Sequence, residues 1–335
     1  MKILLVGFEW QGGITEYCED ALNDLGHTVK KFYYENHFVS LPLLGKIKRK
    51  LIRHFQGNKV NINDKLLKET LVFKPDLLLV LKGETIFPET LAQIKTKMDI
   101  PIASWWFDNP MLEVNGPHIL RSAQYIDYMF IFDTFYIEDL IKTGFKKTYY
   151  LPFACNPKVH KKINLSAKEK DLYTSDISFL GIIADFRQEI LRQLLEYNLK
   201  VWGVGSLPDN DELKRNMINR IIPIEEAVKI YNASKIVLNI NHPQSVFATN
   251  TRTFEAVGCG SFHLTDDKKE IHNLFSVGTE IESYKNIYDL KEKIEYYLDN
   301  PEKRQEIASK GQERAYREHT YVHRMRNLIK IVNSG

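Results

Sequence analysis

The chain has 335 residues, 44% of them hydrophobic and 27% charged, with a net charge of +3. That balance suits a globular protein long enough for two domains and argues against a nucleic-acid platform, which needs a strongly basic face. The cysteines Cys18, Cys155 and Cys259 show no C-x-x-C spacing, which fits small buried thiols in a reducing cytoplasm better than disulfides or zinc.

Lys2 to Gly7 is a short apolar run with the form of a buried parallel strand. It follows the amino terminus too closely for a signal peptide. No apolar run approaches the ~20 residues of a bilayer span, so a cytoplasmic location is expected. Phe8 to Gly13 is a loop holding Glu9 and the pair Gly12-Gly13. A helix from Ile14 then stops at Gly26, and Thr28 to Tyr34 resumes as a strand. This is a βαβ unit whose first loop lies at the carboxyl end of the sheet, where ligands bind. Gly12 and Gly13 either shape a tight turn or face a ligand. The loop lacks G-x-G-x-x-G, so no dinucleotide cofactor is expected.

From Leu43 to Lys59 cations alternate with apolar residues at helical spacing. Such a stretch docks on its own domain with a basic solvated face, or lies on an anionic membrane surface. Beyond it, Ile62 to Phe73 reads as helix, Asp76 to Val80 as strand and Pro88 to Met98 as helix. The strand Ile102 to Trp106 runs straight into Phe107-Asp108-Asn109-Pro110. An acid behind an aromatic pair at a strand's carboxyl end is a good place for chemistry. Asp108 is therefore a candidate base or hydroxyl clamp, or else a cap for the next turn, with Trp106 beside it. Tyr128 to Phe132 is a further strand, and Asp133 caps the helix that follows.

Two prolines near Cys155 and the lysine-rich run Lys158 to Lys170 read as a linker. The alternation restarts at Asp176 to Gly181, a strand that ends in glycine as the first did. Arg187 lies in the first turn of the next helix, where a cation opposes the helix dipole. It either reaches toward a phosphate or is simply solvated. Gly203 and Gly205 form a Gly-x-Gly turn that would let a ligand approach the backbone. Ile222-Pro223-Ile224 precedes a helix with acids in its first turn. His242 follows the strand Ile236 to Ile240, as a donor contact or an ordinary loop histidine.

Thr249 to Leu264, TNTRTFEAVGCGSFHL, is the most informative stretch. If Asn250 or Thr251 caps a helix starting near Arg252, the free backbone N–H groups make an anion site with a guanidinium beside them. Arg252 and Glu255 share one helical face. A fork of donors suits a diphosphate and a carboxylate suits ribose hydroxyls. The alternative is an ordinary surface Arg–Glu pair.

The run R-x-F-E-A-x-G-C-G at Arg252–Gly260, followed by a short strand and Thr265, resembles the C-terminal half of CgeB-type (spore-maturation-protein-like) glycosyltransferases. The resemblance extends through Asp299-Asn300-Pro301-Glu302 to His319. W-x-x-D-x-P at Trp105–Pro110 is more weakly similar to their N-terminal half. The resemblance implies the GT-B fold, two Rossmann-like doubly wound α/β domains facing across a cleft. The expected domains are 1–153 on the acceptor side and 154–315 on the donor side, with 316–335 crossing back as a helix through Tyr321, Met325, Leu328, Ile329 and Val332.

By this likeness the donor-side residues are Gly181, Arg187, Gly203, Gly205, Ile222, Pro223, Ile224, His242, Asn250, Thr251, Arg252 and Glu255. The acceptor-side residues are Gly12, Gly13, Trp106 and Asp108. The implied reaction moves a sugar from a UDP-, GDP- or dTDP-linked donor to a glycan, protein or lipid-linked acceptor. Helix N-termini and Arg252 take the place of a metal, and no cofactor is expected. Related retaining enzymes carry a sugar-side glutamate eight positions before the ribose glutamate, and here that position is Phe247. If the reaction inverts, Asp108 or Glu9 must serve as base. The other readings are a nucleotide-sugar 2-epimerase of the same fold and a non-catalytic envelope or spore-associated protein.

Overall fold

The computed structural model describes residues 1–9, 13–36, 56–113, 116 and 118–334. The chain divides into two compact units, Met1–Pro152 with Val322–Gly335, and Phe153–Tyr321. Gly12 and the greater part of the basic stretch from Leu43 to Lys59 lie outside the described residues. Among the described residues, no helix is long and apolar enough to cross a membrane.

The first unit is built on six parallel strands, β1 (Lys2–Glu9), β2 (Thr28–Asn36), β3 (Leu77–Leu81), β4 (Ile102–Trp106), β5 (Tyr128–Ile131) and β6 (Thr148–Tyr150). Their order is β2-β1-β3-β4-β5-β6. Every residue of β3 and β4 is buried, as strands covered by helices on both faces require. Gly7 is glycine for a packing reason: a Cβ there would stand 2.4 Å from Thr15 Oγ1. The helix Ile14–Asp24 therefore lies close on β1, and Thr15 donates to the Phe8 carbonyl at 3.0 Å.

The second unit repeats the plan with β7 (Ser175–Leu180), β8 (Leu199–Gly203), β9 (Met217–Asn219), β10 (Ser234–Asn239), β11 (His263–Asp266) and β12 (Glu282–Tyr284). Their order is β12-β11-β10-β7-β8-β9, all parallel. Its core joins Ile177, Phe179 and Val201 of the sheet to Leu191, Leu290 and Ile294 of the helices. In each sheet the strand order reverses once, between β1 and β3 and between β7 and β10. Open α/β sheets bind ligands at the carboxyl ends beside such a reversal.

Two boundaries differ from the sequence reading. The lysine-rich segment after Lys158 is no free linker. Val159 and Ile163 pack against Tyr231, Val237 and Cys259, and Ser166 with Glu169 forms a capping box for the helix Ala167–Tyr173. The final helix begins at Tyr321, not Tyr316. The helix Pro301–Glu318 ends first, because His319 and Tyr321 leave helical pairing to bond Cys155, as Cys155 N–H to His319 O at 2.9 Å and Tyr321 N–H to Cys155 O at 3.1 Å. The helix Tyr321–Ser334 buries Met325, Leu328, Ile329 and Val332. Tyr128 donates to Val332 O, and Arg324 to Pro152 O.

Candidate donor and acceptor sites

At the reversal in the second sheet, β7 ends at Gly181 and β10 runs on through Ile240 and Asn241. The helix Thr251–Gly258 starts at the same end. Asn250, not Thr251, is its cap, since the Asn250 side chain accepts from Arg252 N–H at 3.0 Å. A ladder of small polar side chains fixes where this helix begins. Asn250 Nδ2 donates to Asn239 Oδ1 at 3.0 Å, and Asn250 N–H to Asn241 Oδ1 at 3.0 Å. Asn239 Nδ2 reaches Thr253 Oγ1 at 3.2 Å and Thr265 Oγ1 at 3.3 Å, and Asn241 Nδ2 reaches Asp266 Oδ1 at 2.8 Å. Asn239, Asn241, Thr253 and Thr265 are all buried. A satisfied network of this kind holds one geometry, because any shift strands polar groups in the core. Below it, the fully buried His263 shares a 3.1 Å contact with Thr253, and burial holds its pKa down to about 3.

Arg252 is half-buried and pressed against Gly181. A Cβ at Gly181 would stand 3.4 Å from Arg252 Cζ. Among the described residues its guanidinium has no hydrogen bond and no ion pair, and it does not pair with Glu255. The surface-pair alternative is thereby excluded. Arg187 stands close by, only 6% exposed. Burial, and then the like charge of Arg252, hold its pKa down to about 10. Its Nε donates to Ile240 O at 2.9 Å and its Nη1 to Ile182 O at 2.7 Å. Arg187 is thus neither simply solvated nor free to reach out. It ties the loop after β7 to the end of β10 and adds a fixed positive charge there. Two guanidiniums stand at one strand-order reversal, one of them without a partner among the described residues, an arrangement that suits an anion.

Glu255 Oε2 accepts from Tyr231 at 3.1 Å. Burial, then the nearby Glu255, drives the Tyr231 phenol well above its usual range, so it remains a donor. His242 is exposed at the rim of the same end, where Nδ1 accepts from Gln244 N–H at 3.2 Å and the ring meets Phe186 edge-on.

Gly203 and Gly205 answer a different need from the one their spacing suggested. A Cβ on Gly203 would lie 1.9 Å from Gly181 O, and one on Gly205 2.7 Å from Ile183 O. What approaches these glycines is the chain's own 181–183 loop. Ile222 and Ile224 pack against the apolar cluster around Tyr231, while exposed Pro223 is the N-cap of the helix Ile224–Ala233. Phe247 lies under Lys269, and its carbonyl accepts from Glu270 N–H.

In the first unit, β1 ends at Glu9, which is partly exposed, and Gly13 is the N-cap of Ile14–Asp24. Trp106 is fully buried, and the missing Cβ of Gly116 makes room for its ring. Asp108 Oδ2 lies 2.6 Å from Lys82 Nζ, which also pairs with Glu84 Oε1 at 2.5 Å. Lys82 immediately follows β3 and has φ +61°, a left-handed backbone that non-glycine residues seldom adopt. Asp133 does cap, accepting from Phe135 N–H at 3.0 Å.

Sequence reasoning passed over Lys82, Tyr231 and the Asn239–Thr265 ladder. The signal for the ladder is the alternation Asn239-Ile240-Asn241 closing an apolar strand. For Lys82 it is a cation placed directly after five buried residues.

Comparison with known proteins agrees with this fold. A family model described as glycosyl transferase-like matches residues 185–330, the stretch that holds Arg187, Arg252 and Glu255. Spore protein CgeB of Bacillus subtilis (strain 168) is 28% identical over 270 residues, 74% of this chain and 81% of that protein. The fold is similar to that of sucrose-phosphate synthase from Thermosynechococcus elongatus, with TM-score 0.70 and 11% identity over 99% of this chain and 98% of that one. It is also similar to that of Anabaena HepE in complex with UDP-glucose, with TM-score 0.65 and 14% identity over 100% of both chains. The chain is thus similar to spore protein CgeB and, over residues 185–330, to glycosyl transferase-like proteins, and it is built on the two-domain Rossmann-like GT-B fold.

Proposed function

We propose that the second unit holds a nucleoside-diphosphate sugar at the carboxyl end of its sheet, and that the enzyme passes the sugar to a glycan, protein or lipid-linked acceptor. The observation that carries this reading is the Arg252 guanidinium, without a partner among the described residues, set against Gly181 and beside the buried Arg187. Arg252 and the N–H groups opening Thr251–Gly258 take the diphosphate. Glu255, steadied by Tyr231, takes the ribose hydroxyls. The 222–224 segment contacts the base through its backbone, and His242 stands at the rim for the sugar or phosphate.

Glycosyl transfer breaks the bond between the anomeric carbon and the diphosphate, so negative charge grows on the leaving phosphate. Fixed cations and helix N–H groups stabilise that charge without reorganising. In this reading they do so without a divalent ion, and a chelator leaves the rate unchanged. Asp108, steered by Lys82, is the candidate for the acceptor hydroxyl in the first unit, with Glu9, Gly13 and Trp106 nearest in role. HepE has been captured with UDP, with UDP and glucose, and with UDP-glucose, which makes UDP species the first donors to test.

The test is calorimetric titration of UDP, GDP and dTDP into the wild-type and Arg252→Ala proteins, with release of free nucleoside diphosphate followed in parallel. Binding that is lost in the variant supports the reading. Wild-type affinity in Arg252→Ala would overturn it.

A further inference from the structure

A cavity of about 460 Å³ opens in the second unit at the opposite, amino-terminal end of the sheet. Ser234 and Lys235, which begin β10, line it, whereas Ile240 and Asn241 at the other end of that strand belong to the donor site. At ~3.3 Å per strand residue the two places lie roughly 20 Å apart. Lys162, Lys235 and Arg304 all line the cavity, and no carboxylate does.

The nearest counter-charge is Asp176, 2.7 Å from Lys235 and close enough to act on Arg304. Lys162 has no ion pair or hydrogen bond among the described residues, and its stem lies over Gly260, where a Cβ would meet Cε at 2.6 Å. Arg304 gives Nη1 to the Tyr297 carbonyl, and its other guanidinium donors have no bond among the described residues. Pro301, first residue of the 18-residue helix Pro301–Glu318, lines the same cavity, and no side chain caps that helix. Its first-turn N–H groups add to the positive potential. Three cations against one carboxylate leave the charge that a dianion would balance. The volume exceeds that of a bare phosphate, and Asn164 and Gln305 offer amides beyond the cations, whereas the Asn232 amide already bonds Ile163 N–H and the carbonyls of Lys161 and Val228.

We propose that this cavity is a second ligand site, distinct from the donor site, for a small phosphorylated organic molecule. The phosphate sits among Lys162, Lys235 and Arg304, and the amides take the hydroxyls of its carbon skeleton. Tyr231 lines this cavity and also bonds Glu255 through its hydroxyl, but neither Arg187 nor Arg252 lines it, so the site stands whether or not the donor reading holds.

The experiment titrates inorganic phosphate and a hexose phosphate into the full chain carrying Arg252→Ala, which disables the donor site, by calorimetry and phosphorus NMR. Both should bind saturably, the hexose phosphate more tightly. Adding Lys162→Glu or Lys235→Glu, both at exposed positions, should weaken binding about tenfold or more, the effect of losing one charge-assisted contact. Unchanged melting temperatures without ligand would show that these variants fold. No saturable binding in the Arg252→Ala chain, or binding that ignores both lysine reversals, would overturn the proposal. Equal affinity for the two probes would overturn its organic part.

Discussion

Gly181 and Arg252 are spaced so that the absent side chain of one is the room occupied by the other. A methyl group at position 181 would touch Arg252 Cζ at 3.4 Å and Phe179 Cζ at 3.3 Å. Those contacts alone are tight but tolerable, yet Gly181 has φ +159°, a backbone that side chains rarely adopt, so Gly181→Ala should cost about 1 kcal/mol or more of stability and also turn the guanidinium aside. Nucleoside-diphosphate affinity should fall about tenfold, the equivalent of ~1.4 kcal/mol. Calorimetry alongside a melting curve separates the two effects.

The two arginines should part company under mutation. Arg252→Ala removes a charge-assisted fork from the ligand and should lower turnover about a hundredfold with little change in melting temperature, and Arg252→Lys should not restore it. Arg187→Ala instead strands the carbonyls of Ile182 and Ile240 inside the sheet end. It should destabilise the protein by about 2–3 kcal/mol, read from urea midpoints.

Tyr231→Phe deletes only the hydroxyl that steadies Glu255. Donor affinity should drop about fivefold, consistent with a hydrogen bond worth ~1 kcal/mol, and the catalytic rate at saturation should be nearly unchanged. A fall in rate with no change in affinity would contradict a ribose role for Glu255.

Lys82 lies between Asp108 and Glu84. Although burial works the other way, the two carboxylates raise its pKa. In Lys82→Met the carboxylates lose their shared cation, and Asp108 loses the ion pair that holds it in place. Turnover should fall about tenfold with little change in melting temperature, and Lys82→Arg should restore part of it. Wild-type turnover in Lys82→Met would make Lys82 merely structural.

His263 gives a pH dependence of stability with a definite sign. Its folded pKa lies near 3, below the ordinary 6.5, because the ring is wholly buried. The unfolded chain therefore binds a proton that the folded chain refuses, and stability rises with pH through this window. The contribution is complete above about 6.5 and is lost as pH falls toward 3. The urea midpoint should decline between pH 7 and pH 5 in the wild type and decline less in His263→Gln.

Much of the fold was legible because parallel strands covered on both faces declare themselves as unbroken apolar runs, as Leu77–Leu81 and Ile102–Trp106 do. The capped start of the helix at Arg252 was legible too, from short polar residues before an amphipathic stretch. Roles that depend on what the chain meets in space were not. Gly203 reads as a ligand glycine until the carbonyl of Gly181 is found where its side chain would be. Arg187 reads as a surface cation until its donors are seen bonded to two carbonyls. Lys82 sits far from Asp108 in sequence, and only the neighbouring of β3 and β4 brings them within an ion pair.

The first compact unit comprises two stretches of chain, 1–152 and 322–335, whereas the second is a single uninterrupted stretch. During synthesis the middle of the polypeptide can therefore close into its native shape while the beginning still waits for the helix Tyr321–Ser334. Until that helix emerges, the surface against which Met325, Leu328 and Ile329 bury remains bare. A chain truncated after residue 321 should carry a finished second unit attached to a sticky, chaperone-dependent amino-terminal half.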